Sequence, residues 1–380
     1  MIFVGHQAVE IKPSKEAIRN RIFELVEQDP GLAARLMRLQ EFSHGVRTAE
    51  VFVTNACNLR CKGCWFFGHD MDKHGGEIRD LGEVRSFAQR LAESGITHVL
   101  LIGGEPTLAP DRITAFVDQM KYVTVVTNGT HPLPLKGFEN INIAVSLWGG
   151  GPMDDQLRGI RPNGSTFTGL FDMARRAYRD DPRVVWIYTV CESGIDYIED
   201  TVRAIADNGN QLHFGFYSAY GTNDPVGLAE RQRLIDELLR MRELYPDTVI
   251  SHPYNIKTIV TGKSHWGTFG YDTCPSISVD HPAHVDRLAN GHPILRDFNT
   301  YRADHTIQFC CTAGDCDSCR DSQAMSSWLL VNIHHFLDST DQLRIWVEMA
   351  ECFYRQYYWS PFHPKNPHYM RSSHASENFK

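Results

Sequence analysis

Three cysteines, Cys57, Cys61 and Cys64, stand at Cys-x3-Cys-x2-Cys spacing in the stretch Cys57-Asn58-Leu59-Arg60-Cys61-Lys62-Gly63-Cys64. Thiolates are soft ligands that select iron–sulfur clusters or zinc. Three of them on one short loop can hold three irons of a cubane [4Fe–4S] cluster and leave the fourth iron open to the amine and carboxylate of a small molecule. A structural zinc site prefers four closed ligands, usually as two Cys-x2-Cys pairs. The triplet fits that pattern poorly, although a zinc loop or three unligated core thiols stay as alternatives. A second group, Cys310-Cys311-x4-Cys316-x2-Cys319 with Cys274 upstream, offers thiolates for another metal site, one more than a single cluster needs. Zinc and iron–sulfur chemistry both suit that set.

The elements that must position these ligands show in the periodicity. The triplet follows Val51–Thr54, a β-branched run that reads as a strand entering a loop. Further short apolar runs follow at His98–Ile102, Val123–Thr127, Ile141–Ser146, Val184–Val190 and Leu212–Phe216. Between them lie helical faces such as Leu81, Val84, Phe87 and Leu91, then Ile113, Phe116, Val117 and Met120, then Ile198, Val202 and Ile205. Strand–helix alternation argues for parallel strands joined by right-handed crossovers. Six such units fall short of a closed eight-stranded barrel, so the expected fold is α/β, a partial (β/α)6 TIM-like barrel over residues 49–250. In parallel barrels chemistry gathers at the C-terminal ends of the strands, where the cysteine loop lies.

Residues 1–48 read as an N-terminal helical segment, with Ile18, Ile22, Leu25 and Val26 on one face and a second helix over Leu32–Leu39. Residues 251–325 carry the second cysteine group and read as an irregular, metal-clamped region. Residues 326–380 read as C-terminal helices and a polar tail. Tyr188, Cys191 and Glu192 near the end of the fifth strand, and His213 and Tyr217 on or after the sixth, are candidate hydrogen donors or acceptors. Side chains alternate faces along a strand, so a packed core position is the competing reading for each.

The cysteine spacing resembles the cluster motif of the radical S-adenosylmethionine (SAM) enzymes. That resemblance implies that the triplet's open iron binds SAM and that one electron from the cluster cleaves it to a 5′-deoxyadenosyl radical, which abstracts hydrogen from a substrate. A one-electron donor such as flavodoxin or ferredoxin is implied with it. Gly103-Gly104-Glu105-Pro106, at the end of the second strand, resembles the family's glycine-rich segment for the SAM amine. Thr127-Asn128-Gly129-Thr130 and Val145-Ser146-Leu147-Trp148 resemble segments that line its ribose and methionine. Ser146 is then a hydroxyl contact and Arg158 a partner for the SAM carboxylate; a satisfied strand-end hydroxyl and an i, i+4 ion pair with Asp154 compete with those roles. Many relatives carry an aromatic residue before the third cysteine, whereas this chain has Gly63 there and Trp65 after, so Trp65 or Phe66 takes over the adenine contact. The second cysteine group resembles the auxiliary-cluster extension of SPASM or twitch-type members, without reproducing the full SPASM pattern. It implies a second [4Fe–4S] cluster on Cys274, one of Cys310 or Cys311, Cys316 and Cys319.

Composition bounds the rest. The chain has 380 residues, 42% hydrophobic and 22% charged, enough to bury a large core. Net charge is −8 with no dense Lys/Arg run, which argues against broad attraction to nucleic-acid phosphates. No apolar run approaches 18 residues, and the N-terminus lacks a basic region followed by a long apolar stretch, so the expected location is cytoplasmic, without a membrane. Ten cysteines in a chain this long, gathered at two places, suit metal ligation better than a disulfide scaffold. The expected substrate is a small molecule or natural product, with a peptide as the runner-up. A zinc-stabilised binding protein and an RNA-modifying enzyme are the readings from other classes.

Overall fold

The computed structural model describes residues 13–216, 230–264, 267–268, 278–282, 298–308 and 322–358. Six parallel strands, β1 (Thr48–Thr54), β2 (His98–Gly103), β3 (Tyr122–Thr127), β4 (Asn142–Trp148), β5 (Val184–Val190) and β6 (Gln211–Phe216), pair in sequence order. Their bounds agree with the periodic runs to within three residues, the largest difference being the start of β1, because β-branched residues flanked by polar turns leave little freedom in the register. A hairpin of β7 (Lys263–Ser264) and β8 (Gly267–Thr268) stands apart, and β9 (Thr300–Tyr301) adds a seventh parallel strand beside β1. That seventh strand comes from a stretch expected to be irregular. Two ladder residues are too few to show as a periodic run.

One face of the sheet is a continuous apolar layer. Val51, Val53, Val99, Leu101, Val123, Val125, Ile143, Val145, Trp186, Tyr188, Leu212 and Phe214 alternate along the strands into a single core. Over them lie α4 (Leu81–Glu93), α5 (Pro110–Val117), α7 (Leu170–Ala177), α8 (Ile198–Asp207) and α9 (Arg231–Leu244). Two shorter helices, α3 (Trp65–Gly68) and α6 (Pro152–Arg158), follow the cysteine loop and β4. Helix α10 (Pro253–Thr261) lies inside the stretch expected to lack regular structure. Pro253 opens it at N1, His252 caps it by accepting from Tyr254 N, and Ile256, Ile259 and Val260 are buried in the main core. Their i, i+3, i+4 spacing was present in the sequence, masked by the surrounding His, Pro and Gly.

The opposite face is closed at the strands' N-terminal edge. Helix α11 (Ser322–Val331) leads into α12 (Thr340–Tyr357), whose last turn runs beneath β1–β4. Asn142 Nδ2 donates to Gln356 O at 2.8 Å, Thr124 Oγ1 donates to Tyr357 O, and Tyr357 and Tyr358 pack on Leu100. Helices α1 (Lys15–Val26) and α2 (Pro30–His44) do not pack on the sheet's apolar layer. They share a separate cluster, Leu25, Leu32, Leu36 and Leu39 against Leu343, Val347 and Ala350 of α12, laced by Arg35 and Arg38 to Glu351. Among the described residues no helix is long and apolar enough to cross a membrane.

His98 is walled in at the start of β2, with Nδ1 on Thr48 Oγ1 and Nε2 on Thr124 Oγ1, both at 3.1 Å. Burial drops its pKa from 6.5 to about 3, so the folded protein holds it neutral while the unfolded chain takes up a proton below 6.5. Stability contributed by this neutral histidine is therefore full above pH 6.5 and falls between about pH 6.5 and 3, by up to about 1.4 kcal/mol per pH unit. Urea midpoints measured between pH 7 and pH 5 are expected to fall, and the slope is expected to flatten in His98→Gln; an unchanged slope in the variant refutes the assignment to His98.

Candidate active site

The cysteine loop leaves β1 at its C-terminal end and is fixed from three sides. The first is β2. Gly104 N donates to Thr54 O at 2.9 Å and Glu105 N to Ala56 O at 2.8 Å, which zips the end of β2 onto the stem of the loop. A Cβ on Gly104 would lie 2.2 Å from Ala56 O, and Gly103 sits at φ 129° with its own Cβ position 2.6 Å from Thr54 O. Only glycine permits this approach. The pair thus has a structural duty: it brings Glu105 and the loop together.

The second side is β3, through a buried carboxylate. Glu105 Oε1 accepts from Thr127 Oγ1 at 2.7 Å and from Thr107 N and Oγ1 at 3.1 and 2.5 Å, while Oε2 accepts from Asn128 N at 2.7 Å. Asn128 continues the network into the loop: its Nδ2 donates to Asn58 Oδ1, and Asn58 Nδ2 donates to Thr130 Oγ1, both at 2.8 Å. Asn58, between the first two cysteines, was not singled out from sequence; its signal is its place inside the motif. The third side is the end of α6, where Leu157 O accepts from Lys62 N and Ile160 O from Arg60 N, each at 2.7 Å. Arg60 folds back on the loop, donating to Cys57 O and Leu59 O and stacking 3.9 Å over the Phe67 ring.

Cys57, Cys61 and Cys64 are partly buried free thiols. Burial, followed by the charges of Glu105 and Cys64, pushes the Cys57 thiol up to about 11, although the Leu59 N–H pulls the other way. Burial pushes Cys61 to about 12, opposed by the Arg158 charge. Cys64 is raised by burial against N–H donors from Phe67 and Phe66. A bound cation reverses this balance, because it turns each neighbouring thiolate from a repelling charge into a co-ligand. Backbone N–H groups aimed at sulfur and a partly apolar shell are what cluster thiolates require. Among the described residues no three His, Cys, Asp or Glu side chains converge as ligands of one metal ion; the thiolates of a cubane bind different irons and need no common centre. The donor set fits an iron–sulfur cluster.

The other expected residues lie as follows. Ser146 is on β4, where its carbonyl accepts from Arg158 Nη1. Arg158 is buried and paired with Asp154 at 2.9 Å; the i, i+4 ion pair weighed from sequence exists, but inside the protein and not at its surface. Trp65 packs edge-on against Phe52 and Phe66 beside Cys64. Tyr188 faces the helical layer, fully buried, with its hydroxyl donating to Gly149 O. It is a core residue, which overturns its candidacy as a hydrogen donor; alternation along β5 sends it away from the open face. Cys191 is also buried, near Ser193 Oγ at 3.4 Å. His213 is on the opposite face but under α10–α12, next to His252, Asn255 and Cys352, where burial lowers its pKa to about 4. Tyr217, Cys274, Cys310, Cys311, Cys316 and Cys319 lie outside the described residues.

An all-parallel α/β sheet with a cysteine loop clamped at the ends of its strands is the architecture of a partial (β/α) barrel. Residues 51–179 match the Radical SAM superfamily model, so the chain carries a radical SAM domain there and is an enzyme. It is similar to GTP 3′,8-cyclase of Haemophilus influenzae, 30% identical over 128 residues, which are 28% of this chain and 38% of the cyclase. It thus matches well under half the length of that relative. Pre-heme d1 synthase of Dinoroseobacter shibae is 25% identical over 226 residues, 54% of this chain and 53% of the synthase. A solved structure described as native anSMEcpe with bound AdoMet and Cp18Cys peptide aligns over 76% of this chain and 82% of its own at 14% identity, with a TM-score of 0.45.

Gly104→Ala is expected to force the end of β2 off the loop stem. The cost, of the size seen when well-packed interiors are overfilled, is about 1–3 kcal/mol or more, read as a lowered urea midpoint together with loss of iron uptake on anaerobic reconstitution. A variant that keeps both its midpoint and its iron refutes the close approach.

Proposed function

We propose that this protein is a radical SAM enzyme whose Cys57, Cys61 and Cys64 hold a [4Fe–4S] cluster, and that it abstracts hydrogen from a small-molecule or natural-product substrate. The single observation that carries the proposal is the placement of three free thiols on one loop, pinned at the C-terminal ends of parallel strands by Gly104, Glu105, Asn128 and the end of α6. When bound, the cluster supplies the electron that cleaves SAM reductively. The chain's own residues do the positioning. Gly103 and Gly104 hold the strand end against the loop, the buried Glu105 carboxylate, held by Thr107, Thr127 and Asn128, fixes the loop to β3, and Thr127, Asn128 and Ser146 line the neighbouring strand ends. Trp65, beside Cys64, is a surface for the adenine and excludes water from one side of the cluster.

Support for a small substrate comes from the relatives' names, which specify GTP for one and a haem precursor for the other. A second [4Fe–4S] cluster on Cys274, one of Cys310 or Cys311, Cys316 and Cys319 belongs to the same proposal and rests on their sequence spacing. So do a flavodoxin or ferredoxin as electron donor and a reducing, cytoplasmic location.

Anaerobic reconstitution followed by iron counting is expected to give roughly eight irons per chain for two cubanes, and roughly four if the second site takes zinc or nothing. Cys61→Ala is expected to abolish release of 5′-deoxyadenosine from SAM in the presence of a reductant. Cys316→Ala is expected to slow conversion of the true substrate more than uncoupled SAM cleavage. Failure of the unaltered, iron-loaded protein to cleave SAM overturns the proposal, and equal losses in both variants overturn the division of labour between the two sites.

A further inference from the structure

The outer rim of the cysteine loop is built from segments without carboxylates, in a chain that carries 46 Asp and Glu residues against 38 Lys and Arg. Residues 56–69, 128–138 and 156–171 contain no acid. They are distant in sequence, and the fold ties them together: Arg60 N donates to Ile160 O and Lys62 N to Leu157 O, each at 2.7 Å, while Asn58 Nδ2 donates to Thr130 Oγ1 at 2.8 Å. Arg60, Lys62 and Arg161 stand on this rim. Lys62, between the second and third cysteines, is exposed, as is Arg161, one residue beyond the contact at Ile160; Arg60 is half-buried. Both guanidinium groups lie over rings, Arg60 3.9 Å above Phe67 and Arg161 4.6 Å above Phe167, which holds their charge in place instead of letting it trail into solvent.

The acids that border the rim are already engaged. Asp155 accepts from Gly169 N and Leu170 N at 2.7 and 2.9 Å, and Asp70 pairs with Lys73 at 2.5 Å. The surface along α8 and α9 has the opposite balance, with Asp196, Glu199, Asp236 and Glu237 around Arg233 and Arg240. Charge is therefore spread unevenly. A negatively charged partner is repelled by the net charge of −8 and drawn to the loop rim at close range.

We propose that the rim formed by Arg60, Lys62 and Arg161 is the docking surface for an acidic one-electron carrier protein. The inference rests on the radical SAM reading, in which Cys57, Cys61 and Cys64 hold a cluster that must be reduced, and adds to it the place where the electron enters. One electron leaves the carrier, which is oxidised, and the cluster is reduced; no bond forms or breaks and no proton moves. Electron transfer weakens steeply with distance, so the carrier must seat over the ligand loop, and Lys62 lies between two of the ligands. Opposite charges steer and orient such an encounter. Exposed pairs hold weakly and are screened by salt, which suits a carrier that has to leave after each electron.

The test measures binding of an oxidised bacterial flavodoxin, an acidic carrier, to the iron-loaded protein by titration calorimetry at low and at high salt. In parallel, SAM cleavage is driven either by reduced flavodoxin or by dithionite, a small reductant that needs no docking surface. Affinity is expected to fall as salt rises, because attraction at the rim is screened; repulsion by the net charge would make it rise. Arg161→Glu is expected to weaken binding at low salt by about fivefold or more and to slow flavodoxin-driven cleavage to a similar degree, with dithionite-driven cleavage unchanged. Arg19→Glu, on the exposed side of α1, makes the same change in net charge and is expected to move neither quantity. Binding that is insensitive to salt, equal losses in the two variants, or no cleavage with reduced flavodoxin overturns the proposal, and the salt dependence of the unaltered protein decides should Arg161→Glu lose its iron. Transfer RNA binding that is lost in Arg161→Glu while flavodoxin binding is kept overturns it in favour of a nucleic acid. Failure of dithionite to drive SAM cleavage by the unaltered protein overturns the radical SAM reading itself, a separate result.

Discussion

The structure depends on how closely the end of β2 approaches the stem of the cysteine loop. Two backbone hydrogen bonds, from Gly104 to Thr54 and from Glu105 to Ala56, require a chain with no side chain at position 104. Once that contact forms, the Glu105 carboxylate is carried into the sheet beside β3, where it satisfies Thr127 and the Asn128 N–H. Burying a carboxylate is costly unless donors surround it. Four donors from three positions surround this one, so it acts as a rivet through β2, β3 and the loop. Asn58 then extends the rivet to the cysteines themselves.

A cluster ligand set must be accurate without a metal to assemble it, or the binding free energy is spent on ordering the loop. Here the ordering is supplied by groups that are not ligands. Arg60 ties the loop to itself, Asn58 ties it to β3, and the bonds to Leu157 and Ile160 tie it to α6. Burial and the like charges of Glu105 and of one another hold the thiols up against the Leu59 N–H and the Arg158 charge, which favour their ionisation. The same burial strengthens their hold on a cation, because the low dielectric that penalises an isolated thiolate magnifies its attraction to iron. Glycines, amides and a buried carboxylate thus prepare a site whose chemistry belongs to the cofactor.

The far side of the molecule serves this arrangement by closing the sheet at its other end. The last turn of α12 satisfies Asn142 and Thr124 and fills the space under Leu100 with Tyr357 and Tyr358. Helices α1 and α2 brace α12 from outside through their own apolar cluster. The N-terminal segment holds the C-terminal helix that plugs the sheet, and Phe42 of α2 also packs directly on Tyr122 at the start of β3.

Amino-acid order alone determined the strand positions, the parallel alternation, the helical faces and the ligand loop, because each is a local or periodic pattern that burial enforces wherever it occurs. Helix α10 was legible in the spacing of Ile256, Ile259 and Val260 but obscured by its surroundings, and β9 was too short to read. Tertiary structure decided what the side chains do. Tyr188 points into the core because its parity along β5 is fixed by which face the helices cover, a choice made by the whole sheet. Arg158 pairs with Asp154 inside the protein because α6 is folded back against β4, so a pattern that reads as a surface ion pair becomes a buried pair that also satisfies Ser146 O at the end of β4. Gly104 and Glu105 read as a turn with a spare carboxylate. Only the approach of Ala56 and Asn128, from distant parts of the chain, turns them into the clamp that holds the loop.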